Sequence, residues 1–421
     1  MVARIAAIAD DYTGASDLAN TWRRNGLKTI QTIGVPTSID TSDADAIVVS
    51  FKIRSVPADE AVAAALEAYD WLREIGVEHV MYKICSTFDS TDNGNIGQVT
   101  DALRDKANAG WTLVTPAFPE TKRTLYKGHL FVENSLLNES PLKNHPINPM
   151  HDPNLVRVLG KQSKDTVGLV ELATIRAGDD AVIAHLRGLQ QSGVRSVIAD
   201  AVAESDLETL GRVAMQSAVS TGASGLGLGL ARAVRQVGAP GGADGEGAAK
   251  VDGYSAIVVG SCSARTLEQI AEAEKIMPVL RLDSDQLLGS DGDISEAIAW
   301  ATARLPDGPV LIAASADPST VGAIQQKYGW HKASQVIEAA SGRLATALVD
   351  GGVRKLVVAG GETSGAVVDH LRIAGFRIGE EIAPGVPALK TIGRSDGELS
   401  MALKSGNFGG IDFFALALSK L

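Results

Sequence analysis

The stretch Ile5-Ala6-Ala7-Ile8-Ala9-Asp10-Asp11-Tyr12-Thr13-Gly14-Ala15-Ser16-Asp17 sets an acidic turn between an apolar run and an amphipathic one. Ile5 to Ala9 read as a buried strand, and Ala15, Leu18, Ala19 and Trp22 recur at helical i, i+3, i+4, i+7 spacing. The turn therefore sits at the carboxyl end of a strand, where open α/β sheets place their ligands. A lone Asp here would be a helix cap. Two adjacent carboxylates need more: buried, they require hydrogen bonds, a proton, a cation or a substrate hydroxyl.

Outward from this turn, strand and helix alternate, the pattern of parallel βα units. Residues 45–51, 79–83 and 111–115 read as strands, and 57–75 and 96–107 as helices. From Pro116 to about Asp152 the alternation gives way to a stretch dense in Pro, Asn, His, Lys and Glu, whose aromatic and apolar residues predict an ordered excursion. Alternation resumes with a strand at 166–171, a helix at 181–191, a strand at 196–200 and a helix at 206–219. Residues 238–250 are rich in Gly and Ala without apolar periodicity, which reads as a flexible linker. A second series follows: strands at 255–259, 279–281, 310–313 and 355–359, helices at 266–274, 294–304 and 333–349. The expectation is an α/β protein of two domains, each a mostly parallel sheet flanked by helices: residues 1–237, a linker at 238–252, and residues 253–421.

The composition narrows the function classes. A formal net charge of −11 argues against nonspecific nucleic-acid binding. The two cysteines, Cys85 and Cys262, form neither a disulfide framework nor a zinc spacing, which fits a reducing, cytoplasmic setting. No apolar run approaches the roughly 20 residues that span a bilayer, and the N-terminal residues lack the apolar core of a signal peptide. His129, His145 and His151 have no compact metal spacing, so no metal-ligating residues are assigned.

Several strand ends carry polar motifs. In the second domain Gly360-Gly361-Glu362-Thr363-Ser364-Gly365 follows a buried strand and opens a helix. Glycine permits close backbone approach, and free helix N–H groups with Thr and Ser hydroxyls suit phosphate oxygens. Gly260-Ser261-Cys262-Ser263 and Lys404-Ser405-Gly406-Asn407-Phe408-Gly409-Gly410 are of the same kind, and three such turns could converge on a nucleotide; none is a Walker A loop. Gly225-Leu226-Gly227-Leu228-Gly229 follows no predicted strand and reads as tight helix packing. In the first domain Lys83 and Cys85-Ser86-Thr87-Phe88-Asp89-Ser90-Thr91 offer a cation, hydroxyls and a carboxylate beside Asp10 and Asp11, provided that the strands neighbour. Lys122-Arg123-Thr124 adds a basic pair suited to a carboxylate or phosphate.

Taken with Pro116-Ala117-Phe118-Pro119, Gly128-His129-Leu130-Phe131-Val132, Leu137-Asn138-Glu139-Ser140 and Ser405-Gly406-Asn407-Phe408-Gly409, these motifs resemble the four-carbon acid sugar kinases over essentially the whole chain. The stretches 145–150 and 152–157 look most like the members acting on 3-oxo-tetronate. The resemblance implies an N-terminal domain that binds the sugar acid, a C-terminal domain that binds ATP, and transfer of the γ-phosphoryl to the C4 hydroxyl. It places the nucleotide at Ser261 or Ser263, at Gly360, Gly361, Glu362 and Thr363, and at Gly406. Asp10 or Asp11 would contact the acceptor hydroxyl, one as general base, with acidic residues orienting the hydroxyl or holding Mg²⁺. Thr13, Gly14, Lys83, Ser86, Thr87, Asp89 and Arg123 would bind the acid. Ile84, where a second basic residue is expected, and Glu120-Thr121-Lys122 depart from the family pattern. D-threonate, L-threonate and D-erythronate 4-kinases are the neighbouring readings, and a non-catalytic sugar-acid sensor is the reading from another class. Small-molecule partners are expected, without nucleic acid or membrane; a homodimer is compatible with the sequence but not specified by it.

Overall fold

The computed structural model describes residues 4–37, 39–144, 148–236, 251–315 and 318–421. The chain divides into two compact units between residues 244 and 245. The stretch expected as a linker, 238–252, lies outside the described residues except for 251 and 252.

The first unit is built on β1 (Ile5–Ala9), β2 (Thr29–Ile33), β3 (Ala46–Ser50), β4 (His79–Lys83), β5 (Thr112–Thr115), β6 (Arg123–Tyr126), β7 (His129–Val132), β8 (Ser135–Leu136), β9 (Val167–Val170), β10 (Ser196–Ala199) and β11 (Val219–Gly222). Its main sheet has the order β2-β3-β1-β4-β11-β5-β10-β9, with every described pairing parallel. The central strands are buried on both faces, as a sheet covered by helices requires. From β1 the chain moves to one side through β2 and β3, then crosses back to β4 on the other. The carboxyl ends of β1 and β4 therefore form a topological switch point, where such sheets open a crevice.

The expected excursion after Pro116 is an antiparallel sheet, β6-β7-β8, with short helical turns at Pro119–Thr121, Leu137–Glu139 and Pro141–Asn144. The stretch 145–150, part of the resemblance, lies partly outside the described residues, at 145–147.

Two expectations need correction. The helix predicted at 206–219 is Glu204–Ala214, and the residues after it turn into β11. Gly225 to Gly229 thus do follow a strand. They lie in the helix Ser224–Gln236 and serve packing: a Cβ on Gly225 would stand 2.1 Å from Ala117 O, one on Gly227 2.2 Å from Leu18 Cδ1, and one on Gly229 2.1 Å from Leu207 O. β11 escapes a hydrophobicity reading because Ser220 and Thr221 are polar yet buried. Their hydroxyls bond His79 Nε2 at 2.8 Å and Thr100 Oγ1 at 2.9 Å inside the sheet layer.

The second unit carries β12 (Tyr254–Val259), β13 (Val279–Arg281), β14 (Val310–Ala313), β15 (Val353–Ala359), β16 (Gly375–Ala383), β17 (Val386–Ile392) and β18 (Ser400–Lys404), in the order β13-β14-β12-β15-β18-β17-β16. The first five are parallel, and β17 and β16 complete the sheet as an antiparallel pair. The sequence reading assigned no strand between 372 and 399, so this pair is new. Ile257, Val259, Leu311, Val357 and Ala402 of the sheet pack with Phe413 and Phe414 of the helix Phe413–Lys420.

Candidate functional site

Pairing of β1 with β4 in the register Ala9↔Lys83 brings the acidic turn and the Lys83 loop side by side. On the other flank β3 pairs with β1 through Ser50↔Ala9, and the chain beyond it folds over the turn: Ile53 and Arg54 both donate their N–H to Asp10 O, at 3.0 and 3.2 Å. Asn95, from the segment following the Lys83 loop, holds this segment by donating to Ile53 O and Val56 O at 2.7 and 3.1 Å.

Arg54 is the residue that sequence reasoning missed. Its Nε and Nη2 grip Asp10 in a two-point pair, 2.8 Å each, and Nη2 also reaches Asp11 Oδ1 at 2.6 Å. One guanidinium thus bonds both carboxylates, and with the charge of Lys83 nearby it offsets the cost of holding the pair side by side. The available signal was a basic residue in the loop immediately after the buried strand β3.

The two aspartates differ. Asp10 has 3% of its side chain exposed and both oxygens on Arg54, whereas Asp11 keeps 22% exposed. Burial raises the Asp10 carboxyl above its ordinary value, with Arg54 opposing. For Asp11 burial acts in the same direction but is outweighed by Arg54, Lys83, the Thr13 hydroxyl and the Gly14 N–H, so its carboxyl lies below the ordinary value. Asp11 also caps the helix Tyr12–Arg24: Oδ1 accepts from Gly14 N at 3.0 Å and Oδ2 from Thr13 Oγ1 at 2.6 Å. A Cβ on Gly14 would stand 2.2 Å from Asp11 Oδ1 and 3.1 Å from Lys83 Nζ, so the turn requires glycine.

Lys83 is buried, donates to Ile84 O at 2.9 Å, and its charge bears on Asp10, Asp11 and Asp17. In its loop Thr87 Oγ1 donates to Asp89 Oδ1 at 2.6 Å, and Ser86 is half-buried. At Cys85 burial, with Asp89 adding, pushes the thiol up to about 12, which disfavours the thiolate. Arg123 lies on β6, its Nη1 donating to Thr121 O, and no described hydrogen bond joins it to the carboxylate pair. Lys122 is exposed and faces Glu133 at 3.5 Å.

In the second unit the three glycine-bearing turns leave three adjacent parallel strands, β12, β15 and β18, in the registers Val259↔Ala359 and Ala359↔Lys404. They do converge. Ser263 Oγ donates to Gly406 O at 2.7 Å, Gly360 N to Lys404 O at 2.8 Å, and a Cβ on Gly260 would meet Thr363 Oγ1 at 2.1 Å. Gly360, at φ 126°, occupies backbone space open to glycine and is the N-cap of the helix Gly361–His370, with no side chain capping it. The first N–H groups of that helix are left for an anion, and a Cβ on Gly361 would find nothing within 4 Å. Glu362 lies exposed in the first turn, and Thr363 is buried against Gly260. Lys404, beneath the third turn, is fully buried, and burial pushes its ammonium down to about 7 with Arg265 adding to the effect. Among the described residues no helix is long and apolar enough to cross a membrane, and no cluster of three or more His, Cys, Asp or Glu is placed to hold a metal ion.

One α/β unit thus carries a carboxylate pair at its switch point, and the other carries three glycine-bearing turns of the kind that receive phosphate. Comparison with known proteins agrees: a family described as "Sugar-binding N-terminal domain" matches residues 5–230, and one described as "Nucleotide-binding C-terminal domain" matches residues 256–414. The chain belongs to the four-carbon acid sugar kinase family. It is 58% identical over 421 residues to a 3-oxo-tetronate kinase of Methylobacterium radiotolerans, covering 99% of each chain. A 3-oxo-tetronate kinase of Burkholderia multivorans is 47% identical, covering 99% of this chain and 97% of that one. Among solved structures, a Haemophilus influenzae protein is 42% identical with a TM-score of 0.78, covering 98% of this chain and 99% of that one. A Salmonella typhimurium LT2 protein is 41% identical with a TM-score of 0.86, covering 98% of both chains.

Proposed function

We propose that this chain is an ATP-dependent kinase that converts 3-oxo-tetronate to 3-oxo-tetronate 4-phosphate. The observation that carries the reading is full-length identity of 42–58% to relatives that all bear the one name. The carboxylate cluster and the glycine turns give that name a chemistry.

The C4 hydroxyl oxygen attacks the γ-phosphorus, the bond to the ADP oxygen breaks, and the hydroxyl proton passes to a carboxylate. Phosphoryl transfer needs positioning and charge neutralisation more than covalent help. Asp11 is the base and hydroxyl contact, being the accessible member of the pair, while Asp10 fixes Arg54. Lys83, Ser86, Thr87, Asp89 and Arg123 bind the acid with Thr13 and Gly14. Ser261, Ser263, Gly360, Gly361, Glu362, Thr363 and Gly406 bind ATP. Mg²⁺, which typically keeps its waters and takes one or two carboxylates plus substrate phosphates, fits a site whose exposed carboxylate is Glu362; when bound it would neutralise phosphate charge. The setting is the cytoplasm, where ATP is available.

Coupled ADP release with 3-oxo-tetronate, D-threonate, L-threonate and D-erythronate in parallel tests the reading. Turnover highest on 3-oxo-tetronate is expected. Preference for another acid would reassign the substrate, and no ADP from any of them would leave a sugar-acid sensor.

A further inference from the structure

The turn after β18 has a built-in choice of orientation. Ser405 to Phe408 form a hydrogen-bonded turn, with Phe408 N donating to Ser405 O at 3.2 Å. Its corner residues are Gly406 and Asn407, and neither has positive φ. A type II turn needs positive φ at the third residue, so this turn has the type I orientation. The two orientations differ by a half-rotation of the central peptide, which exchanges the sides on which the Gly406 C=O and the Asn407 N–H lie. Asparagine is among the few residues that tolerate positive φ, so residue 407 does not by itself make the choice.

The choice is made from the interior. Gly406 O has three side-chain donors within reach: Ser263 Oγ at 2.7 Å, Thr266 Oγ1 at 2.8 Å and Lys404 Nζ at 2.9 Å. A carbonyl oxygen has two lone pairs, so the three donors share them and each adds to the hold on it. Lys404 also donates to Thr266 Oγ1 and Ser405 O, both at 3.1 Å. Thr266 and Lys404 are fully buried, so the carbonyl points inward. The trans peptide then directs the Asn407 N–H outward, on an exposed residue, and none of the described groups accepts from it.

We propose that Ser263, Thr266 and Lys404 are positioning residues that lock the Gly406–Asn407 peptide so that the Asn407 N–H donates to a phosphate group of the nucleotide. The proposal rests on the nucleotide reading of this unit. A flipped peptide would present a carbonyl oxygen to the phosphate instead, exchanging attraction for repulsion.

The test is calorimetric titration of the full chain with MgATP and with adenosine, for wild type, Thr266→Val, Thr266→Ser, Lys404→Met and Thr266→Val/Asn407→Gly. Loss of one charge-assisted donor corresponds to about tenfold in affinity or more. Thr266→Val and Lys404→Met are expected to lose that much for ATP while keeping wild-type affinity for adenosine and wild-type KM for the sugar acid. Thr266→Ser, which retains the hydroxyl, should stay close to wild type, and Asn407→Gly, by easing positive φ, should deepen the loss in Thr266→Val. Wild-type ATP affinity in a folded Thr266→Val or Lys404→Met variant overturns the proposal, as does an equal loss for ATP and adenosine. If both variants fail to fold, the three residues serve the fold and the proposal falls. A wild-type chain that binds no ATP would overturn the nucleotide reading itself.

Discussion

Arg54 holds two carboxylates that could not otherwise share a buried turn. Removing one partner of a buried ion pair leaves an uncompensated charge, typically at a cost of about 3–5 kcal/mol. Arg54→Met should therefore destabilise the chain by roughly that amount in urea unfolding, and Arg54→Met with Asp10→Asn should recover much of it. Asp11 is exposed enough to meet a hydroxyl, so Asp11→Asn should lower turnover by about a hundredfold or more with ATP affinity unchanged; near-normal turnover would move the base elsewhere. His79 gives a pH prediction. Its Nδ1 faces Ser217 O at 2.7 Å and its Nε2 the Ser220 hydroxyl at 2.8 Å, and burial pushes it down to about 4. Between about 4 and the unfolded value near 6.5 the unfolded chain takes up a proton that the folded chain does not. Stability is thus fully present above about 6.5 and falls as pH drops toward about 4, by about 3 kcal/mol. Urea midpoints measured across this range should show the fall, and His79→Gln should flatten it.

At the scale of elements, the helix Ser224–Gln236 lies against its neighbours at glycines as well as at the buried side chains of Leu226, Leu230 and Val234. Trp22 Nε1 donates to Gly227 O at 2.9 Å, and a Cβ on Gly211 would meet Gly229 C at 2.1 Å. Gly229→Ala forces backbone to move where nothing can yield cheaply, and roughly 1–3 kcal/mol of destabilisation is expected, read from thermal or urea unfolding. Gly361→Ala meets open space, so it should leave stability nearly intact; any effect should fall on ATP binding. Where apolar residues decide an element, the sequence was legible: β13 and β14 were predicted at their observed bounds. β11 was illegible because its burial is supported by hydroxyl pairs formed only across neighbouring elements.

At the scale of the molecule, two units with different ligands should respond separately, because a ligand stabilises what it binds. Hydrogen exchange with ATP should show protection around residues 260–266, 360–364 and 404–408. With 3-oxo-tetronate it should show protection around 10–14, 53–54 and 83–89. Protection of one set by both ligands alone would contradict the assignment. The sequence by itself determined the α/β alternation, the acidic turn, the three phosphate-type turns and, by resemblance, the family, because these reside in local patterns of apolar periodicity, glycine and charge. Only the tertiary structure decided that Arg54 closes over the aspartates, that Asp10 is locked while Asp11 stays accessible, and that Lys404 lies beneath Gly406. Those facts depend on which strands lie side by side, and strand order is set by the packing of the whole sheet rather than by any one segment.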